Sequence, residues 1–193
     1  MIKIYHVYSK ITHSLHFGRV NLKGVEKWES LPFNRPMQGL GMAGHKGKVY
    51  IAGGSQATNK DGEESNLSSL SDVSVFNPTT RRWKDLTPLP KPRSSHEMIA
   101  HKGKLYVIGG WNMQDGNGLE WHYHGLVADL SENPLKWRKL PKTDWKVRAN
   151  SAAVVGNSLY VIGGLDDNGT SNAVRKLDLG TNKWSDETAF PGV

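Results

Sequence analysis

Apolar residues in this chain come in short runs, and three of those runs end in the same mark. Val49-Tyr50-Ile51-Ala52 leads into Gly53-Gly54, Leu105-Tyr106-Val107-Ile108 into Gly109-Gly110, and Leu159-Tyr160-Val161-Ile162 into Gly163-Gly164. The first glycines are spaced by 56 and 54 residues, and a Trp follows each pair, at Trp83, Trp137 and Trp184. No stretch sustains a helical period, so the runs predict strands. Self-similarity at this spacing predicts stacked supersecondary units.

Each run is preceded by a polar turn and an earlier apolar run. The turns are His45-Lys46-Gly47-Lys48, His101-Lys102-Gly103-Lys104 and Gly156-Asn157-Ser158. Two apolar runs joined by a Gly-bearing turn predict a β-hairpin. After the glycine pair a polar loop leads to a third run: Val73-Ser74-Val75-Phe76, Leu126-Val127-Ala128 or Val174-Arg175-Lys176-Leu177. It ends in Asn77, Asp129 or Asp178, whose short side chain can bond the backbone of the next turn. The Trp marks a fourth run, Arg82-Trp83-Lys84-Asp85-Leu86 in the first copy. Each unit therefore predicts four short strands in an up-and-down meander.

One such sheet cannot cover both of its faces. Sheets stacked around an axis cover one another and remove exposed edges. The glycine pair lets backbones pass closely, and the Trp supplies an apolar plate between neighbours. These residues resemble the kelch repeat, a β-propeller blade of about this length. The resemblance rests on the glycine doublet, the polar end of the third strand and the spaced Trp, and it extends over about the whole chain. It implies an all-β fold of kelch-type β-propeller blades, one segment over residues 1–193. Complete blades are expected at about 37–86, 93–140 and 148–188, with a partial blade at 1–31.

In that partial blade, Ile2 to Ser9 reads as a second strand with Tyr8-Ser9 in the glycine place. His16 to Leu22 reads as a third strand and Trp28 to Pro32 as a fourth. Three complete four-stranded blades plus this one fall short of an ordinary ring, so an incomplete or assembled propeller is expected. The reading prefers a piece of a longer protein over several copies sharing a ring.

Composition narrows the chemistry. The 193 residues include no Cys, which excludes disulfides, thiol catalysis and thiolate metal sites. No apolar stretch approaches membrane-spanning length, and the run at Met1 to His6 is too short for a signal peptide. The formal charge is +7, yet Lys46, Lys48, Lys102, Lys104, Lys136, Arg138, Lys139 and Lys142 are scattered in sequence. They read as solvated surface rather than as a nucleic-acid groove.

Most motif-like fragments give way to structural readings. Gly39-Leu40-Gly41-Met42-Ala43-Gly44 has dinucleotide-loop spacing but precedes a strand instead of opening a helix. It reads as small residues near a crowded axis. His122-Tyr123-His124 puts two imidazoles on one face with Glu120 nearby, but no third ligand stands at a convincing spacing. Ser94-Ser95-His96-Glu97 alternates faces along a strand, and no nucleophile elbow is present. The acidic loops at Asp61 and Asp166 fail EF-hand spacing. No metal and no cofactor is expected.

Arg35, Arg93 and Arg148 precede their glycine pairs by 18, 16 and 15 residues, on the loops entering each first strand. Those loops gather at one rim of a propeller, where guanidiniums would either clamp an anion or an acidic peptide or serve the blade structurally, as the resemblance implies for Pro92-Arg93, a Pro-Arg pair that kelch repeats often carry at this place. The resemblance implies partner binding at this rim and the loops after the glycine doublet. By position that adds Gln38, Ser94, Ser95, Asn150 and Ser151, with Trp111 and Asn112 from the adjacent loop. Trp111 lies outside the blade pattern and is expected to be exposed as an anchor.

The expected function is a kelch-repeat binding module for a protein segment or a glycan, without catalysis and with neither nucleic acid nor membrane as partner. The alternative is part of a kelch-like carbohydrate-active enzyme of sugar-acid epimerase type, for which Glu97 is the one carboxylate on an inner strand. The copper oxidase of kelch type needs a Tyr-Cys pair, which this chain lacks.

Overall fold

The computed structural model describes residues 3–9, 15–21, 29–33, 37–60, 63, 66–114 and 118–191, and no described residue is helical. Blade I holds β1 (Lys3–Ser9), β2 (Leu15–Asn21) and β3 (Glu29–Leu31). Blade II holds β4 (Gly41–His45), β5 (Lys48–Ala52), β6 (Ser55–Ala57), β7 (Leu67–Ser69), β8 (Val73–Asn77) and β9 (Arg82–Asp85). In blade III follow β10 (Glu97–His101), β11 (Lys104–Ile108), β12 (Trp111–Met113), β13 (Leu119–Trp121), β14 (His124–Asp129) and β15 (Trp137–Lys142). Blade IV has β16 (Ser151–Val155), β17 (Ser158–Ile162), β18 (Leu165–Asp166), β19 (Gly169–Thr170), β20 (Val174–Asp178) and β21 (Lys183–Glu187).

The main sheets are four-stranded antiparallel meanders, ordered β4-β5-β8-β9, β10-β11-β14-β15 and β16-β17-β20-β21, beside the three-stranded β1-β2-β3. In blade I the strands stand where the second, third and fourth strands were expected; Trp28 and Arg35 lie outside the described residues. One feature the periodicity did not show is that the loop after each glycine doublet folds into its own hairpin: β6-β7, β12-β13 and β18-β19. These strands are only two or three residues long, too short to register as a pattern.

The turns follow their chemistry. His45 pairs with Lys48 across two residues, Lys46 and Gly47, with φ of 45° and 73°. Positive φ at both places matches the right-handed twist of a hairpin. The Asx residues ending the third strands bond ahead, as their spacing predicts. Thr79 N–H donates to Asn77 Oδ1 at 2.9 Å, Ser131 N–H to Asp129 Oδ1 at 2.9 Å, and Gly180 N–H to Asp178 Oδ1 at 2.8 Å.

The apolar core lies in the seams between blades. Leu31, Val49 and Phe76 fill the first seam, with Phe33 and Trp83 against them. Tyr50, Ala52, Val73, Met98, Leu105 and Val107 fill the second, and Tyr106, Ile108, Val147, Leu159 and Leu177 the third. The repeated Trp is more than a plate, because its indole N–H reaches back to the preceding blade each time. Trp83 Nε1 donates to the Pro32 carbonyl at 2.6 Å, Trp137 Nε1 to Thr87 at 3.1 Å and Trp184 Nε1 to Pro141 at 3.2 Å. The three half-buried indoles each find such an acceptor, so one residue type supplies both seam area and seam register. On the far face of blade IV, Ile162 and Phe190 are exposed. Ile162 occupies the place of Ala52 and Ile108, which are covered in their seams.

Candidate functional site at the entry-loop rim

Entry loops and post-doublet hairpins meet at one end of the blades. The residue after each doublet pairs with an entry-loop residue: Gln38 with Ser55, Ser94 with Trp111 and Arg148 with Leu165. These bridges set the true repeat register of the loops. The next residue in each loop is left-handed, with φ of 60° at Gly39, 54° at Ser95 and 51° at Ala149. That conformation aims the backbone at the neighbouring loop. Ser95 N–H donates to the Gly39 carbonyl at 2.7 Å and Ala149 N–H to the Ser95 carbonyl at 2.8 Å. The three loops are thereby tied into one continuous rim. Ser94, fully buried, adds a bond to Ser69 Oγ at 2.8 Å, and Ser69 Oγ accepts from Met113 N–H at 2.9 Å.

The arginines do not share a repeat position. Arg93 aligns with Met37 and Val147, one residue before each bridge, and all three are buried. Its guanidinium points into blade III and donates to the Gly109 carbonyl at 2.6 Å and the His124 carbonyl at 2.9 Å. Burial lowers Arg93 to about 9, with Glu120 opposing, so it stays charged at neutral pH as a clamp inside the seam. Arg148 aligns with Gln38 and Ser94 instead, and it is half-buried. Its guanidinium carbon sits 4.1 Å from the centre of the Trp111 ring.

Trp111 is half-buried rather than exposed. Its ring centre is 5.3 Å from that of Trp121, and Lys146 Nζ lies 5.0 Å from the Trp121 ring. Lys146 is ion-paired with Asp167, and Lys91 with Glu120 at 2.5 Å. Arg148 differs from these lysines: among the described residues its guanidinium has no hydrogen bond or ion pair. Elsewhere on the rim Gln38 and Ser151 are exposed, and Ser95 and Asn112 are half-buried. Asn150 is buried, and its side-chain amide has no partner.

The two histidines of His122-Tyr123-His124 are each held by a backbone carbonyl. His122 Nε2 donates to the Pro92 carbonyl at 2.9 Å and His124 Nδ1 to the Leu140 carbonyl at 3.1 Å; carbonyls only accept, which sets both tautomers. Glu97 is half-buried, and burial pushes its carboxyl up.

His96, set aside in the sequence as part of the fragment Ser94 to Glu97, lies in a seam. It holds the repeat position of Asn150, one seam earlier, and packs against the glycines of blade II. A Cβ on Gly41 would stand 2.6 Å from His96 Nε2, which is why the glycine-rich first strand is needed there. Both ring nitrogens are buried without a hydrogen-bond partner. Burial lowers His96 to about 3, and the charges of Arg93 and His122 push the same way; the nearby Ala52 carbonyl opposes them without forming a hydrogen bond. His122 is lowered to about 4, chiefly by burial.

A depressed histidine means that the unfolded chain binds the extra proton. Stability is therefore complete above the unfolded value of 6.5 and falls as pH drops toward 3. At pH 5 His96 alone is expected to cost about 2 kcal/mol. Urea unfolding at pH 7 and pH 5 checks this. The variant His96→Asn, which installs the residue used in the next seam, should lose about 2 kcal/mol less between those pH values than the native chain. An equal loss in both proteins would remove His96 as the source.

Comparison with known proteins places this geometry. The model of the KLHDC2/KLHL20/DRC7 Kelch-repeats domain matches residues 45–191. Kelch-like protein 40 of Xenopus laevis is 27% identical over 161 residues, covering 83% of this chain and 24% of that protein. Kelch repeat and BTB domain-containing protein 12 of Danio rerio is 26% identical over 187 residues, covering 91% of this chain and 29% of that protein. The chain thus spans about a quarter of the length of the curated relatives it matches. The solved structure titled "Structure of YjhT" superposes with a TM-score of 0.75 at 21% identity, covering 90% of this chain and 59% of that one. That likeness speaks for the fold alone.

Proposed function

This chain belongs to the kelch-repeat family, and we propose that it is a binding module whose rim recognises an acidic protein segment. One observation carries the reading: the Arg148 guanidinium lies over the Trp111 ring at the rim, and its N–H donors have no acceptor among the described residues. A guanidinium held over an indole has lost much of its rotamer freedom already. It offers a pre-set fork to a carboxylate, which lowers the ordering cost of binding. Gln38, Ser95, Asn112 and Ser151, along the same rim, would supply neutral donors and acceptors for the segment's backbone. Arg93 and Ser94 lie beneath and hold the loops in place, with Asn150 buried alongside.

The test is an array of ten-residue peptides bearing Asp or Glu, matched with Asn or Gln versions, and probed with the native chain. Arg148→Ala is expected to weaken the acidic hits by about 10- to 100-fold with an unchanged unfolding midpoint. Arg148→Lys should not restore them, since an ammonium neither stacks nor forks. Equal binding of acidic and amide peptides would sink the proposal. So would hits confined to a parallel glycan array and retained by Arg148→Ala.

A further inference from the structure

Read along the chain, the lysines are scattered; the meander gathers them. Each turn between first and second strands, and each turn between third and fourth, lies at the end of the blades opposite the rim. The two turns of a blade are bonded together there. Leu130 N–H donates to the Gly103 carbonyl at 2.9 Å in blade III, and Leu179 N–H to the Asn157 carbonyl at 2.9 Å in blade IV.

This end is strongly basic. Blade II contributes Lys46, Lys48 and Arg82, all exposed. Blade III adds Lys102, Lys104 and Lys136, and blade IV adds Lys183, again exposed. None of them forms an ion pair among the described residues. Two further cations here, Arg81 and Arg138, are matched with Glu29 and Glu132. The aspartates of this end, Asp129 and Asp178, accept hydrogen bonds from their own turns. At the rim, by contrast, Lys91 and Lys146 are paired with acids.

We propose that this face docks on an anionic lipid bilayer. The unpaired cations spread over three blades in two tiers, the inner hairpin tips and the outer turns. That is a two-dimensional array suited to a plane, where a nucleic-acid strand would call for a single track. Six of the seven are lysines, hydrated point charges that need no fixed partner geometry and suit mobile headgroups. The indoles that could stack bases, Trp83, Trp137 and Trp184, are bonded into the seams. The face lies opposite the rim, so the proposal does not depend on the peptide reading.

Flotation with vesicles of phosphatidylcholine containing 30 mol% phosphatidylserine, against pure phosphatidylcholine, tests it. Binding is expected only to the anionic vesicles, and it should weaken about tenfold or more when salt rises from 0.1 to 0.5 M. The triple reversal Lys48→Glu, Lys104→Glu, Lys136→Glu avoids the left-handed positions Lys46 and Lys102. It should reduce binding about 30-fold or more with the unfolding midpoint kept, whereas Arg148→Ala should not change it. Equal binding to both vesicles, or binding indifferent to the triple reversal, would overturn the proposal. Release of the protein from vesicles by duplex DNA or RNA at equal phosphate would overturn it too, and would assign the face to nucleic acid.

Discussion

Gly53→Ala is expected to destabilise the chain by more than about 3 kcal/mol, while Gly47→Ala costs only about 1 kcal/mol. Both glycines have positive φ, 59° at Gly53 and 73° at Gly47, so both substitutions force an L-residue into the left-handed region. They differ in what the new methyl meets. At Gly47 nothing lies within 4 Å. At Gly53 the methyl overlaps the Arg93 carbonyl oxygen and comes within 2.9 Å of His96 Cε1. That carbonyl accepts the Gly54 N–H at 2.8 Å across the seam, so it cannot retreat without losing an interblade bond. Denaturant unfolding of the two variants separates conformational cost from seam cost. Equal losses would show that the doublet acts through its backbone freedom alone, and the close-packed seam would lose its role.

Arg93→Met is expected to cost about 3–5 kcal/mol. The side chain is almost fully buried, and its two donors satisfy the carbonyls of Gly109 and His124. Methionine fills much of the volume but leaves both carbonyls unpaired in an apolar seam. Arg93→Lys should recover little, because one ammonium cannot span both acceptors. For a chain of this size the melting midpoint should fall by roughly 10 °C. A shift within a degree or two, with peptide binding lost, would instead make Arg93 a ligand contact.

The repeat register shows how far residues alone carried the argument. The doublets, the Asx turn residues and the Trp series announced antiparallel meanders, and the described residues form them. Those features are local or strictly periodic, so spacing exposes them. Counting back from the doublets put Arg35, Arg93 and Arg148 in one class. The bridges Ser94–Trp111 and Arg148–Leu165 put Arg93 and Arg148 in different ones. Loops of unequal length hide a one-residue offset, and one residue along an extended segment turns a side chain from solvent to core. Trp111 was misread for a related reason. Its place outside the blade pattern suggested exposure, but its environment comes from Arg148 and Trp121, which are distant in sequence from one another.

Taken by itself, the chain determined its own architecture, because short-range turn chemistry and a repeated apolar period need no knowledge of the ring. Tertiary structure alone decided which charges share a face and which are hidden. Hairpin tips 56 residues apart stand side by side at one end, and His96 titrates low because a neighbouring blade excludes water from it. Charge and solvation depend on distances through space, and only the stacking of the blades sets those distances.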